Sequence, residues 1–171
     1  MGCFDHEQYI ELTMHFRCNL RCVHCMIEGT VFDLPLVCDV GREHVGREPE
    51  AGRITFVKGN ALADPLPTGF DLIAFKSMVH DWPERETGRL LERACRSLNP
   101  GGTLLVFERG PIDAEGGTLP YSMLPMLLFF RAFRPPAFYA TRFQTLGLTR
   151  IEVQTFHLET PFFLVTGCLA G

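Results

Sequence analysis

The sequence predicts an α/β fold, built on a mostly parallel sheet that ends in an antiparallel strand pair. Three observations lead there. Short β-branched and aromatic runs alternate with segments of helical apolar spacing, the pattern of strand–helix–strand units with right-handed crossovers. The run at 70–75, FDLIAF, is nearly continuous in apolar residues, as a parallel strand buried on both faces should be. Two further strand-like runs, at 150–157 and 162–167, close the chain with no helical pattern between them.

The elements follow in order. Residues 9–15 alternate roughly and end in a polar cluster, which predicts a first strand. Residues 18–28 read as a loop with a short helix. Residues 30–34, TVFDL, form a strand stopped by Pro35, which suits the first turn of a helix running to about residue 48. Residues 53–58 alternate and are closed by Gly59 and Asn60. Pro65, Pro67 and Gly69 punctuate a loop before the buried strand at 70–75. Leu90, Leu91, Ala94, Cys95 and Leu98 recur at helical spacing within 83–98. Asn99-Pro100-Gly101-Gly102 stops that helix, and 103–108 is the next strand. Helices are expected over 119–133 and 136–146, the latter ended by Gly147 in a left-handed conformation.

Composition narrows the function classes. The chain has 171 residues, 46% hydrophobic and 21% charged, with a formal net charge of -4 and a mean hydropathy of +0.09. That is one soluble globular domain by length and composition. The acidic balance and scattered basic residues predict no nucleic-acid partner. The most apolar stretch, 119–133, is too short and too interrupted by Pro120, Pro125 and Arg131 to span a bilayer, so no membrane partner is expected. It reads instead as a pocket or interface helix. The polar start lacks a secretory signal, which with reduced cysteines predicts a cytoplasmic location.

Seven cysteines are present, and Cys18, Cys22 and Cys25 fall within eight residues as C-x3-C-x2-C. Three thiolates on one loop can converge on one soft metal centre. A 4Fe-4S cluster held by three ligands would keep one iron open for a substrate or cofactor. A zinc site with His15 or His24 as fourth ligand, or three plain reduced cysteines, are the alternatives. The stretch ELTMHFRCNLRCVHCMIEG resembles the start of a radical S-adenosylmethionine enzyme, which implies Cys18, Cys22 and Cys25 as cluster ligands. Nothing after Thr30 resembles the barrel such an enzyme needs.

From residue 30 the resemblance changes. The stretches GTVFDLP, RITFVKGNALADPLP, FDLIAFKSMVHDWP, LNPGGTLLVFERGP and the ending FFLVTG, in that order, resemble class I S-adenosylmethionine-dependent small-molecule O-methyltransferases. The chain thus divides into a radical-enzyme-like segment, 1–29, and the catalytic part of an O-methyltransferase domain, 30–171. The implied fold is a Rossmann-like sheet whose first strand is atypical. The implied activity is methyl transfer from S-adenosylmethionine to a hydroxyl of a small molecule, with a homodimer as the family's usual assembly. Iron–sulfur or radical chemistry through the cysteine motif and an inactive fusion remnant are the rival readings.

In an open α/β sheet, ligands bind beyond the carboxyl ends of the strands. Asp33 ends a strand there, where a carboxylate can accept two ribose hydroxyls; the resemblance assigns it that contact, and capping the next helix is its other reading. The resemblance also implies Asn60 near the adenine amino group, Ala61 flanking the adenine and Lys76 near the cofactor. His80 of VHDW is implied as the catalytic base, since an imidazole can take a hydroxyl proton as the oxygen attacks the methyl group. Asp81 caps the next helix or orients a neighbour, Trp82 packs, and Glu108 lines the same pocket or forms a strand-end ion pair.

The pattern breaks at its start. The family's first strand and glycine-rich loop should precede GTVFDLP, and the cysteine segment stands in their place. Gly41-Arg42-Glu43-His44-Val45-Gly46 follows the second strand and reads as helix, not as that loop. Weak or absent activity of the chain alone is therefore expected. Residues 9–15 are expected to fill the vacant central strand position, with 18–28 as the crossover.

Overall fold

The computed structural model describes residues 8–12, 28–49, 51–111, 121, 133–157 and 161–171. Its strands are β1 (Gln8–Leu12), β2 (Glu28–Asp33), β3 (Ile54–Lys58), β4 (Phe70–Lys76), β5 (Leu98–Arg109), β6 (Thr149–His157) and β7 (Pro161–Cys168). The helices are α1 (Pro35–Val45), α2 (Glu84–Ser97) and α3 (Pro136–Thr145). The sheet order is β3-β2-β1-β4-β5-β7-β6. The first five strands pair in parallel, and β7 runs antiparallel to both β5 and β6.

The vacant position is filled as the strand order required. β1 lies between β2 and β4, with Glu11 in register with both Val31 and Ala74. β2 begins at Glu28, so one sheet takes backbone from both sides of residue 30.

Register fixes what covers each face. Ile73 and Phe75 pair with Leu104 and Val106, and Val106 with Val165, so these residues share one face. All are 0% exposed, packed with Leu90, Leu91 and Ala94 of α2 and with Tyr139 and Phe143 of α3. Burying a side chain of this size contributes ~1.5–3 kcal/mol, so this layer carries much of the core's stabilisation. Val31 and Phe56 pair on the opposite face. There α1 comes so close that a Cβ on Gly41 would stand 2.7 Å from the Phe56 ring. The molecule is therefore a three-layer sandwich, with α1 on one side and α2 and α3 on the other.

Most expected elements are present, with shifted ends. α1 stops at Val45, where the Gly46 N–H donates to Arg42 O. Gly147 has φ +80 after α3, the left-handed stop expected of it. The 99–102 segment corrects the sequence reading. It lies within β5, which begins at Leu98 and not at Thr103, and the β4–β5 register shifts between Phe70 and Leu72. Asn99 Nδ2 donates to Asp71 Oδ1 at 2.9 Å, Gly101 takes φ +82, and a Cβ on Gly102 would lie 2.9 Å from Asn99 O. Phe70 pairs with Leu98 and Leu72 with Thr103, so the turn residues still make a turn, one that bulges out of the β4–β5 ladder inside β5. The expected helix at 119–133 lies outside the described residues except for Tyr121 and Phe133. Among the described residues no helix is long and apolar enough to cross a membrane.

Candidate active site

The chain runs outward from β1 to β2 and β3, then returns to lay β4 and β5 on the other side of β1. The strand order therefore reverses between β1 and β4. In sheets of this kind the crevice at the carboxyl ends beside that reversal is where ligands bind. Asp33 ends β2, Asn60 follows β3, Lys76 ends β4, and His80 sits just beyond β4. At ~4.8 Å between neighbouring strands, β2 and β4 stand roughly 10 Å apart across β1.

A sharp local turn delivers His80. Ser77 takes φ +50, a left-handed conformation that costs a non-glycine residue roughly 1–2 kcal/mol. Its N–H donates to Phe107 O at 2.9 Å, anchoring the turn on β5. The 3-10 turn Val79–Asp81 follows at once and folds His80 under the strand ends, 2% exposed.

Glu108, near the end of β5, is 0% exposed, and its Oε1 lies 2.8 Å from His80 Nδ1. Oε1 also accepts the Arg109 N–H at 2.9 Å, which holds the carboxylate in place. A buried carboxylate facing Nδ1 at this distance can offset positive charge that develops on the ring when Nε2 takes up a proton. Asp81 Oδ1 lies 3.5 Å from Nε2, so Asp81 neighbours His80. It does not cap α2: the cap position is Pro83, with no side-chain cap. The Phe133 ring flanks the imidazole at 5.1 Å between centroids.

Three of the cofactor candidates, Asp33, Asn60 and Ala61, lie across β1 from His80, and the fourth, Lys76, ends β4 on the His80 side. Asp33 is 7% exposed, and its Oδ1 accepts the Leu34 N–H at 2.7 Å. It is not the cap of α1 either, since Leu34 holds that position without a side-chain cap. The Asp33 carbonyl receives the Gly59 N–H at 2.9 Å and the Cys38 thiol at 3.3 Å, so its backbone is fixed from two elements. Asn60 is exposed, and its Oδ1 accepts the Leu62 N–H at 2.9 Å while its own N–H donates to Asp64 Oδ2 at 2.8 Å. Ala61, half-buried, lies in the turn that Asn60 closes. Lys76 is half-buried. A buried carboxylate beside a turn rich in backbone donors and acceptors suits a ribose and an adenine edge, so this donor set fits a nucleoside-bearing cofactor.

Three residues around His80 escaped the sequence reading. Thr87 of α2 and Arg134, just before α3, both donate to the carbonyls that bracket the turn. The Tyr139 phenol is fully buried beside Arg134 and Glu108. The one available signal was Arg134, a charge beside a long apolar run. Burial pushes Tyr139 up to about 12, with the Glu108 charge acting in the same direction and Arg134 pulling the other way.

The unfolded phenol titrates near ~10, so the folded chain holds its proton longer. Stability is then full below about pH 10 and falls as pH rises towards 12, by roughly 2–3 kcal/mol over that window. Urea unfolding between pH 8 and 11.5 is expected to show this fall, and Tyr139→Phe to reduce it, the remainder coming from the buried Cys38 and Cys95 thiols, which burial also pushes up. An identical alkaline fall in the variant would refute the assignment.

Comparison with known proteins decides the family. The family model for the O-methyltransferase domain matches residues 19–130. The chain belongs to the O-methyltransferase domain family. It is 36% identical over 98 residues to a 3-hydroxy-5-methyl-1-naphthoate 3-O-methyltransferase of Streptomyces sahachiroi, covering 53% of this chain and 28% of that protein. It is 37% identical over 90 residues to human acetylserotonin O-methyltransferase, covering 48% of this chain and 26% of that one.

Among solved structures, the S-adenosylmethionine-dependent methyltransferase SibL in its apo form superposes with a TM-score of 0.82. It has 21% identity and covers 99% of this chain and 52% of that chain. Human N-acetylserotonin methyltransferase with bound S-adenosylmethionine gives 0.70 at 22% identity, covering 99% and 50%. These establish the class I methyltransferase fold for the described sheet. The matches span about a quarter of the length of the sequence relatives and about half that of the structural ones.

The match to the O-methyltransferase domain begins within the cysteine segment and takes in Cys22 and Cys25. Cys18, Cys22 and Cys25 lie outside the described residues. Among the described residues no group of three or more His, Cys, Asp or Glu is placed to hold a metal ion.

Proposed function

We propose that the chain is the catalytic half of an enzyme that moves the methyl group of S-adenosylmethionine to a hydroxyl of a small molecule, with His80 as the base. The observation that carries this reading is the pair His80–Glu108, both fully buried, at the strand-order reversal of an O-methyltransferase domain. The two sequence relatives support it, since their names specify O-methyl transfer to a hydroxynaphthoate and to acetylserotonin.

The bound cofactor supplies an electrophilic methyl group on a sulfonium. The chain's own residues do the rest. His80 Nε2 accepts the acceptor's hydroxyl proton as the oxygen becomes nucleophilic. Glu108, against Nδ1, holds the ring and offsets the positive charge the imidazole then carries. Burial of both groups keeps water away, so the charge pairing acts in a low dielectric. Asp33 would accept the ribose hydroxyls, Asn60 and Ala61 would meet the adenine, and Lys76 would stand near the cofactor on the β4 side.

Calorimetric titration with S-adenosylhomocysteine tests the cofactor half of this reading. Micromolar binding is expected, weakened at least about tenfold by Asp33→Ala, because a carboxylate accepting two hydroxyls contributes roughly 1.5–3 kcal/mol. A folded chain that binds no S-adenosylhomocysteine, or binds it equally well as Asp33→Ala, would overturn the cofactor assignment.

A further inference from the structure

We infer that Arg134 and Thr87 form a latch that sets the position of His80: a guanidinium and a hydroxyl from two different helical neighbourhoods hold the same two backbone carbonyls on either side of the catalytic turn. This inference rests on the reading of His80 as the base and extends it to residues that touch neither substrate nor cofactor.

The geometry is specific. Arg134 Nη1 donates to Val79 O at 3.2 Å and Nη2 to Trp82 O at 2.6 Å. Thr87 Oγ1 lies 3.2 Å from each of the same two oxygens. Val79 O also accepts the Trp82 N–H at 3.4 Å. Val79 and Trp82 flank His80 and Asp81, so both ends of the turn are fixed while its centre carries the imidazole. Arg134 is 9% exposed and Thr87 0%. A buried guanidinium hydrogen-bonded to two carbonyls is a charge-assisted contact, roughly twice as strong as a neutral one.

The latch is itself braced. The Arg134 guanidinium lies 5.1 Å from the centre of the Phe138 ring, and Arg142 stacks on the same ring at 5.6 Å. Arg142 reaches across to Glu84 at the start of α2, 3.0 Å away. The last turn of α3 is thereby tied to the start of α2. Phe133, the residue before Arg134, contributes the ring that flanks His80. One dipeptide thus grips the turn by its backbone and its imidazole together.

A residue that merely stabilised the fold would leave the His80 ring as it is. The test is therefore nitrogen-detected NMR of the imidazole in the full chain, wild type beside Arg134→Met, Arg134→Lys and Thr87→Val. In the wild type, Nδ1 is expected to carry the proton and Nε2 the lone pair. Arg134→Met is expected to move both nitrogen signals towards the averaged values of a ring exchanging tautomers. Arg134→Lys should restore part of the shift, and Thr87→Val should show a smaller shift in the same direction.

Where turnover is measurable, kcat should fall roughly 10- to 100-fold in Arg134→Met, since small misplacements of a catalytic group cost about that much. KM for the cofactor should stay within about twofold. If Arg134→Met does not fold, Arg134→Lys and Thr87→Val carry the same readout. A folded latch variant whose His80 nitrogens match the wild type overturns the latch. The base assignment fails separately, if His80→Ala keeps its turnover.

Discussion

His80→Ala is expected to lower the rate of methyl transfer by roughly 10²–10⁴-fold, the usual contribution of a positioned general base. S-adenosylhomocysteine affinity should change little, because Asp33, Asn60 and Ala61 lie across β1, on β2 and after β3, and leave only Lys76 on the His80 side. The fall should appear in kcat and in kcat/KM for the acceptor alike, as for an interaction made only in the transition state. The measurement is a steady-state assay of methyl transfer to a hydroxylated aromatic acceptor, beside calorimetry on the same preparation. Unaltered turnover in His80→Ala would refute the base. Loss of cofactor binding together with turnover would point instead to a collapsed crevice, and the buried position of His80 makes His80→Asn the control for that outcome.

The second large effect belongs to Glu108. Its carboxylate is 0% exposed, 2.8 Å from the His80 ring and close enough to Tyr139 to raise the phenol's pKa. Oε2 has no hydrogen-bond partner among the described residues. Truncating Glu108 leaves the buried imidazole polar group facing it without a partner, which typically costs about 1–3 kcal/mol. Glu108→Ala should therefore lose a measurable part of a stability that is only ~5–15 kcal/mol for a domain. Urea unfolding measures this directly. Glu108→Gln keeps the volume and an acceptor oxygen, so it should fold far better. It should still turn over slowly, since it lacks the charge that offsets a protonated imidazole. A Glu108→Ala chain that unfolds at the wild-type midpoint would contradict the role of this pair in stability.

Much of the sheet was legible from local pattern. The apolar run at 70–75, the alternation at 54–58 and the paired runs at the carboxyl end reappear as β4, β3 and the β6–β7 hairpin. The resemblance leaves a central strand position vacant, and residues 9–15 are expected there; the described strand, Gln8–Leu12, lies between β2 and β4. The 99–102 segment did not follow, because Asn-Pro-Gly-Gly marks a turn whether it falls before a strand or bulges out inside one. Only the partner strand decides which of them forms. The capping roles read into Asp33 and Asp81 failed for a related reason. Each lies one or two residues ahead of the position that starts its helix, and a cap depends on that register.

The sequence by itself determined the fold class, the strand-end positions of Asp33 and Lys76, and the motif that singles out His80. These depend on period, on turn chemistry and on motif order, all of which are local. Only the tertiary structure decided which groups meet. Glu108 is 28 residues from His80, and Arg134 is 55 from Val79 and 52 from Trp82. No periodicity links such distant positions. They come together because β4 and β5 pair in parallel and α3 packs back over α2, and the low dielectric of that packed layer makes their charges matter.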